Sequence, residues 1–177
     1  MGGIFALFAV MILACVELWL GSWNLLLPLV ADAVFYFCGS RSWKSALVLA
    51  AIGGAAVDLA FFRDGLFTAA AVVLTVPAAR LWQRSRLDTP VALNAAYGFF
   101  LPWFIFGCSG LLQLLFSETA PIWNRQSLSL PLFSGVLNGG VLVLLIILLD
   151  KIAGAAGFDT FAGKSEQRRT MSENRGE

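Results

Sequence analysis

The sequence predicts an all-α integral membrane protein: a compact bundle of six transmembrane helices with both termini in the cytoplasm. Three observations lead there. Of 177 residues, 59% are hydrophobic and only 13% charged, with a mean hydropathy of +0.81. A soluble domain is about 45–50% apolar and about 25% charged, and could not hide so much apolar surface. The apolar residues also fall into six runs of spanning or near-spanning length. Finally, lysine and arginine divide very unevenly between the two sides that six crossings define.

The runs are taken in order. A spanning helix needs about 20 apolar residues. Residues 2–20 supply the first, interrupted only by Glu17 near its end. Residues 23–38 supply a second, short run, which at about 1.5 Å per residue covers about 24 Å. Residues 45–62 form the third and 66–82 the fourth, where Pro77 should kink the helix or end its regular part. The link between these two is so short that they must form a tight antiparallel hairpin. Residues 91–116 are long enough to tilt, with a bend expected at Pro102. Residues 130–149 are the sixth and most hydrophobic run. None shows the alternating polarity of a barrel strand. Residues 1–150 thus form one membrane domain. The polar, mixed-charge stretch 151–177 reads as a disordered cytoplasmic tail.

Six crossings with both ends inside place Arg41, Lys44, Arg80, Arg84, Arg86, Lys151, Lys164, Arg168, Arg169 and Arg175 in the cytoplasm, and only Arg63 and Arg125 outside. The positive-inside rule favours this orientation strongly, and a missed helix would scatter the charges. Trp19, Trp23, Trp43, Trp82 and Trp123 fall near helix ends, where indole rings prefer to sit. The run 2–20 has no basic residue before it, so it reads as a retained helix rather than a signal peptide.

Composition also narrows the chemistry. There is no histidine, which removes histidine catalysis and histidine metal ligands together. Cys15, Cys38 and Cys108 are odd in number, lie in apolar runs and lack paired spacing, so they read as packing residues. A net charge of +1 carries no footprint for nucleic acid. Neither a nucleophile elbow nor a phosphate-binding loop is present. The chain is therefore expected to be no enzyme and to need no cofactor or metal.

Carboxylates at bilayer depth are costly and call for an explanation. Glu17 lies within a turn of a helix end and reads as interfacial. Asp32 lies mid-helix in the short second run and is harder to dismiss. Asp58 continues Ala46, Ala50 and Gly54 at intervals of four, one helix face whose small residues allow close approach. It could cap backbone donors in the turn 62–65, pair with Arg63, meet a partner, or carry a proton or ligand. In the last run, Gly135 and Gly139 form a GxxxG pair with Ser134 and Asn138 alongside. That face could pack internally or receive another protein's helix. Because a terminal helix is often peripheral, it is the better candidate for a partner.

Two stretches resemble the MreD family, small polytopic rod-shape-determining proteins of bacteria. Gly53-Gly54-Ala55-Ala56-Val57-Asp58-Leu59, a short turn and Gly65-Leu66 resemble the family's glycine, aspartate, turn and glycine between two apolar segments. Phe133-Ser134-Gly135-Val136-Leu137-Asn138-Gly139 resembles its final segment. Size, helix number and the basic C-terminal end agree. Trp23-Asn24 stands where the family has a proline-led polar pair, which marks a divergent member. The resemblance implies a non-catalytic scaffold of the cell-elongation peptidoglycan synthesis machinery in the bacterial inner membrane. Its implied partner is an MreC-like bitopic protein, and through it the MreB filament and the RodA–transpeptidase synthase. Asp58 and Asn138 would be structural or interface groups. From the residues alone, two other classes remain open. One is a substrate-binding membrane subunit of an energy-coupling-factor vitamin transporter; the other is a proton-linked carrier using Asp32 or Asp58.

Overall fold

The computed structural model describes residues 2–23, 25–61, 65–85, 91–116 and 125–163. These form α1 (Gly2–Gly21), α2 (Leu29–Ser40), α3 (Trp43–Ala60), α4 (Phe67–Ser85), a single 3-10 turn (Val91–Leu93), α5 (Asn94–Phe116) and α6 (Arg125–Ala155). The protein is all-helical, with no strand among the described residues. Four helical stretches are long and apolar enough to cross a membrane: α1, α3, α5 and residues Ser129–Ala155 of α6. α2 is apolar but short. α4 has the length but carries Arg80, Gln83 and Arg84 in its last two turns.

α2 is the centre of the bundle. All twelve of its residues are buried, as expected of a helix that is apolar all round. It packs on α1, α3, α4 and α6, while α5 closes the outside against α4 and, most extensively, α6. Phe35, Tyr36 and Phe37 supply the largest side chains of the core.

The second helix starts later than the apolar run indicates, at Leu29 instead of residue 23. Pro28 is the reason. It disfavours helical backbone at the residue before it and has no N–H to donate. Trp23 and Leu25 N–H instead bond the Leu20 carbonyl, and Pro28 occupies the N-cap position. Twelve residues rise only about 18 Å, well short of a hydrocarbon core about 30 Å thick. The chain just before α2, residues 25–28, is non-helical; Leu27 and Pro28 are buried while Leu26 is exposed. α4 runs through Pro77 to Ser85, α5 through Pro102 and α6 through Pro131.

The tail expected to be disordered from residue 151 is ordered as far as residue 163. Lys151–Ala155 continue α6, and the chain reverses at Gly157 in the left-handed region (φ +70°). Phe158 N–H bonds the Ala153 carbonyl at 2.8 Å, and Gly157 N–H bonds the Gly154 carbonyl at 3.1 Å. Those two bonds make a Schellman stop. Phe158 then stacks on Phe5 of α1 at 5.3 Å, and Phe161 lies against Phe35 and Tyr36. Composition hid this because two aromatics in a polar stretch suffice to anchor it. Residues 164–177, including Arg168 and Arg169, lie outside the described residues. The same Phe5–Phe158 contact puts the start of α1 and the end of α6 at one end of the bundle, with Arg41, Lys44, Arg80, Arg84 and Lys151.

Candidate functional site: carboxylates and an asparagine at helix junctions

Every helix start leaves backbone N–H groups without an intrahelical partner. Inside a bilayer no water can satisfy them. α4 begins after Gly65 and Leu66, and α2 after Leu27 and Pro28; none of these can cap a helix with its own side chain.

The chain solves both cases in the same way, from the neighbouring helix. Asp58 of α3 is 1% exposed, and its Oδ2 accepts the Ala69 N–H of α4's first turn at 2.8 Å. Glu17 of α1 accepts the Val30 N–H of α2's first turn through Oε2 at 2.9 Å. Each carboxylate faces the positive end of a helix dipole, the favourable position for an acid. Asp58 reaches its target because the seam before it is thin. Ala46, Ala50 and Gly54 are buried, and a Cβ on Gly54 would lie 2.6 Å from the Ala69 Cα. Gly65 adopts φ +115° in the turn between the helices, a conformation that glycine takes without strain. Arg63, considered as a partner for Asp58, lies outside the described residues. Glu17, expected to be interfacial, is a helix cap.

The third junction joins three helices. Asn138 of α6 is fully buried, and its Nδ2 donates to Asp32 Oδ1 of α2 at 3.1 Å and to the Gly98 carbonyl of α5 at 3.0 Å. Asp32 is itself fully buried. Asp32 Oδ2 and Asn138 Oδ1 have no hydrogen-bond partner among the described residues.

The glycines of α6 belong to this junction. A Cβ on Gly135 would lie 2.6 Å from the Phe99 carbonyl oxygen, and one on Gly139 would lie 2.9 Å from that of Ala95. Both obstacles are α5 backbone, and Gly98 of α5 faces α6 with equally little room. Of the two readings open for the Gly135 and Gly139 face, internal packing or a partner's helix, the structure shows the first: the face is filled by α5. The reason is the hairpin-like pairing of α5 with α6, which places the small residues of both helices on one seam. Ser134, also buried, points to a different place, the wall of a cavity of about 130 Å³. That cavity lies above the start of α2, where helix gives way to extended chain. Glu17, Pro28, Thr68, Pro102 and Ser109 also line it.

Sequence reasoning singled out Asp32, Asp58 and Asn138 but missed the cap made by Glu17 and the role of Asp150. Asp150 accepts Tyr36 Oη at 2.8 Å, Phe161 N–H at 2.6 Å and Ala162 N–H at 3.0 Å, holding the returning C-terminal segment. The one available signal for Glu17 was the absence of any capping residue before α2. Among the described residues no group of three His, Cys, Asp or Glu side chains could hold a metal ion. No disulfide joins Cys15, Cys38 and Cys108.

Comparison with protein-family models, with curated proteins and with solved structures found no match to this chain.

Proposed function

We propose that the chain is a divergent MreD-like protein: a non-catalytic scaffold of the cell-elongation peptidoglycan machinery in the bacterial inner membrane. It would cross six times with both ends in the cytoplasm and act by binding an MreC-like bitopic partner. One observation carries the reading. The two stretches that resemble the family supply two of the three junctions that join the helices. Gly54, Asp58 and Gly65 make the α3–α4 junction, and Gly135, Asn138 and Gly139 make the α2–α5–α6 junction. The resemblance is thus borne by residues whose type the fold requires. Asp58 and Asn138 are used in holding helices together, in keeping with an assembly role. The orientation is supported by the described basic side chains, which gather at the end shared by the start of α1 and the end of α6.

The vitamin-transporter reading has one observation in its favour, the cavity at the opposite end. A pocket that takes a drug-sized ligand holds about 300–1,000 Å³. At about 130 Å³ this one is several-fold too small, and its lining is mostly apolar. The scaffold reading is preferred for that reason.

The test is depletion of the protein in the bacterium that encodes it, with affinity capture of the tagged chain from solubilised membranes. Loss of rod shape and co-purification of a bitopic MreC-like protein are expected. Unchanged cell width, or capture of an ATP-hydrolysing coupling module instead, would overturn the scaffold reading.

A further inference from the structure

Asp32 and Asn138 meet in the interior, and one oxygen of each is left over. Asn138 Nδ2 faces Asp32 Oδ1 and the Gly98 carbonyl. The carbonyl can only accept, which fixes which end of the amide is nitrogen, and both N–H groups are then used. Asp32 Oδ2 and Asn138 Oδ1 have no partner among the described residues, although both side chains are 0% exposed. With Asp32 ionised, both atoms are acceptors and neither can satisfy the other. We propose that Asp32 binds one exchangeable proton on Oδ2, which donates to Asn138 Oδ1 and closes an acid–amide pair.

One proton meets two needs. It supplies the missing donor between side chains that already share the Nδ2–Oδ1 bond. It also removes the charge. A carboxylate away from water needs a cation or several donors, and Asp32 has one, Asn138. The described basic side chains, Arg41, Lys44, Arg80, Arg84 and Lys151, gather at the end where α1 starts and α6 ends, and none bonds to Asp32. The other ionisable groups offer no counter-charge. Glu17 of α1 acts on Asp32 as a like charge. Tyr97 of α5 comes near it, its hydroxyl donating to the Thr75 carbonyl of α4 at 3.2 Å. Asp58 of α3 is engaged at Ala69, and Asp150 of α6 with Tyr36 of α2. A water donating to both oxygens would supply hydrogen bonds but leave the charge in place.

The proton has a route. Glu17 Oε2 accepts the Val30 N–H, two residues before Asp32 on α2, a rise of about 3 Å. Glu17 also lines the cavity above the start of α2, with Thr68, Ser109 and Ser134. Two residues of that wall lead inward: Ser134 is four positions before Asn138 on α6, and the Pro28 carbonyl accepts the Asp32 N–H. The pair therefore lies about one helical turn, about 5.4 Å, below a cavity with polar walls. A proton entering there passes Glu17 and ends on Asp32 Oδ2, taking the side chain from −1 to neutral.

The test follows unfolding of the full purified chain by dodecyl sulfate in mild detergent, as a function of pH, in the parent and in Asp32→Asn. Asparagine places an N–H where the bound proton would be, so the variant keeps the pair. A proton held by the folded chain and shed by the unfolded one makes stability fall as pH rises above the ordinary carboxylate range. The unfolding constant of the parent should therefore rise about tenfold per pH unit relative to that of the variant, the slope of one proton. Infrared spectra of the folded parent at neutral pH should show the carbonyl stretch of a buried protonated carboxyl, lost in Asp32→Asn. Its persistence in Glu17→Gln and Asp58→Asn assigns the band to Asp32 even if Asp32→Asn does not fold. Glu17→Gln keeps an acceptor for Val30 and should slow deuterium exchange of that band several-fold.

Parallel pH profiles with no acid band would overturn the proposal, because Asp32 would then be ionised beside a water or an ion. Stabilisation of the parent by sodium or potassium, absent in Asp32→Asn, would overturn it in favour of a cation site. An unchanged exchange rate in Glu17→Gln would overturn the route. The inference goes beyond the scaffold reading and no measurement here involves a partner, so its failure alongside intact partner capture counts against the proton site alone.

Discussion

Replacing Asp58 separates a structural carboxylate from a working one. Its Oδ2 accepts the Ala69 N–H at the start of α4 from a site 1% exposed. Asp58→Asn keeps an acceptor oxygen at the same reach and loses only the stronger attraction to the helix dipole, about 0.3–1 kcal/mol and up to ~2 when buried. Asp58→Leu removes the cap, about 0.5–2 kcal/mol. It also leaves a buried N–H without a partner, about 1–3 kcal/mol, and forces a branched side chain into the thin seam beside Gly54. The leucine variant should therefore lose about 3 kcal/mol or more, and the asparagine variant about 1. For a chain of this size each kcal/mol moves the midpoint by about 2–4 °C. Thermal unfolding of the purified protein in mild detergent should show drops of about 6–12 °C for leucine and about 2–4 °C for asparagine. Membrane abundance in cells should follow the same order. If Asp58→Asn is as damaging as Asp58→Leu, the capping argument fails. If Asp58→Asn folds normally but abolishes function, the carboxylate has a role beyond the junction.

Three other outcomes follow from the geometry. Gly135→Ala or Gly139→Ala puts a Cβ against α5 carbonyl oxygens at 2.6 or 2.9 Å. Each should cost about 1–3 kcal/mol of thermal stability, whereas an unchanged midpoint would mean that α5 is not seated there. Phe161→Ala should free the returning C-terminal segment, so limited proteolysis should cut within residues 156–163 faster in the variant than in the parent. Equal rates would show that Phe161 does not anchor it. Reporter fusions after Leu87 and after Lys164 should report cytoplasm and one after Ser127 the outside, with reversal at any of the three refuting the six-crossing topology.

Periodicity and composition alone determined that the chain is helical and apolar enough for a membrane. They also located the Asp58 seam, because residues four apart share a face whatever surrounds them. Asp32 and Asn138 stood out for a related reason: a polar group in an apolar run must find a partner, and few are on offer. Which partner it finds is a property of neighbours distant in sequence. Asp32 and Asn138 are 106 positions apart, and Glu17 and Val30 are 13 apart, so neither pairing could be read from either segment. The GxxxG face of α6 shows the same limit. Small residues make close approach possible, but only the packed bundle decided that α5, already in the chain, takes the place a partner's helix could also fill. The extent of α2 was likewise settled by tertiary structure. Hydropathy counts apolar residues and cannot tell helix from extended chain, whereas Pro28 starts the helix late and Glu17, reaching across from α1, makes that late start affordable inside the bundle.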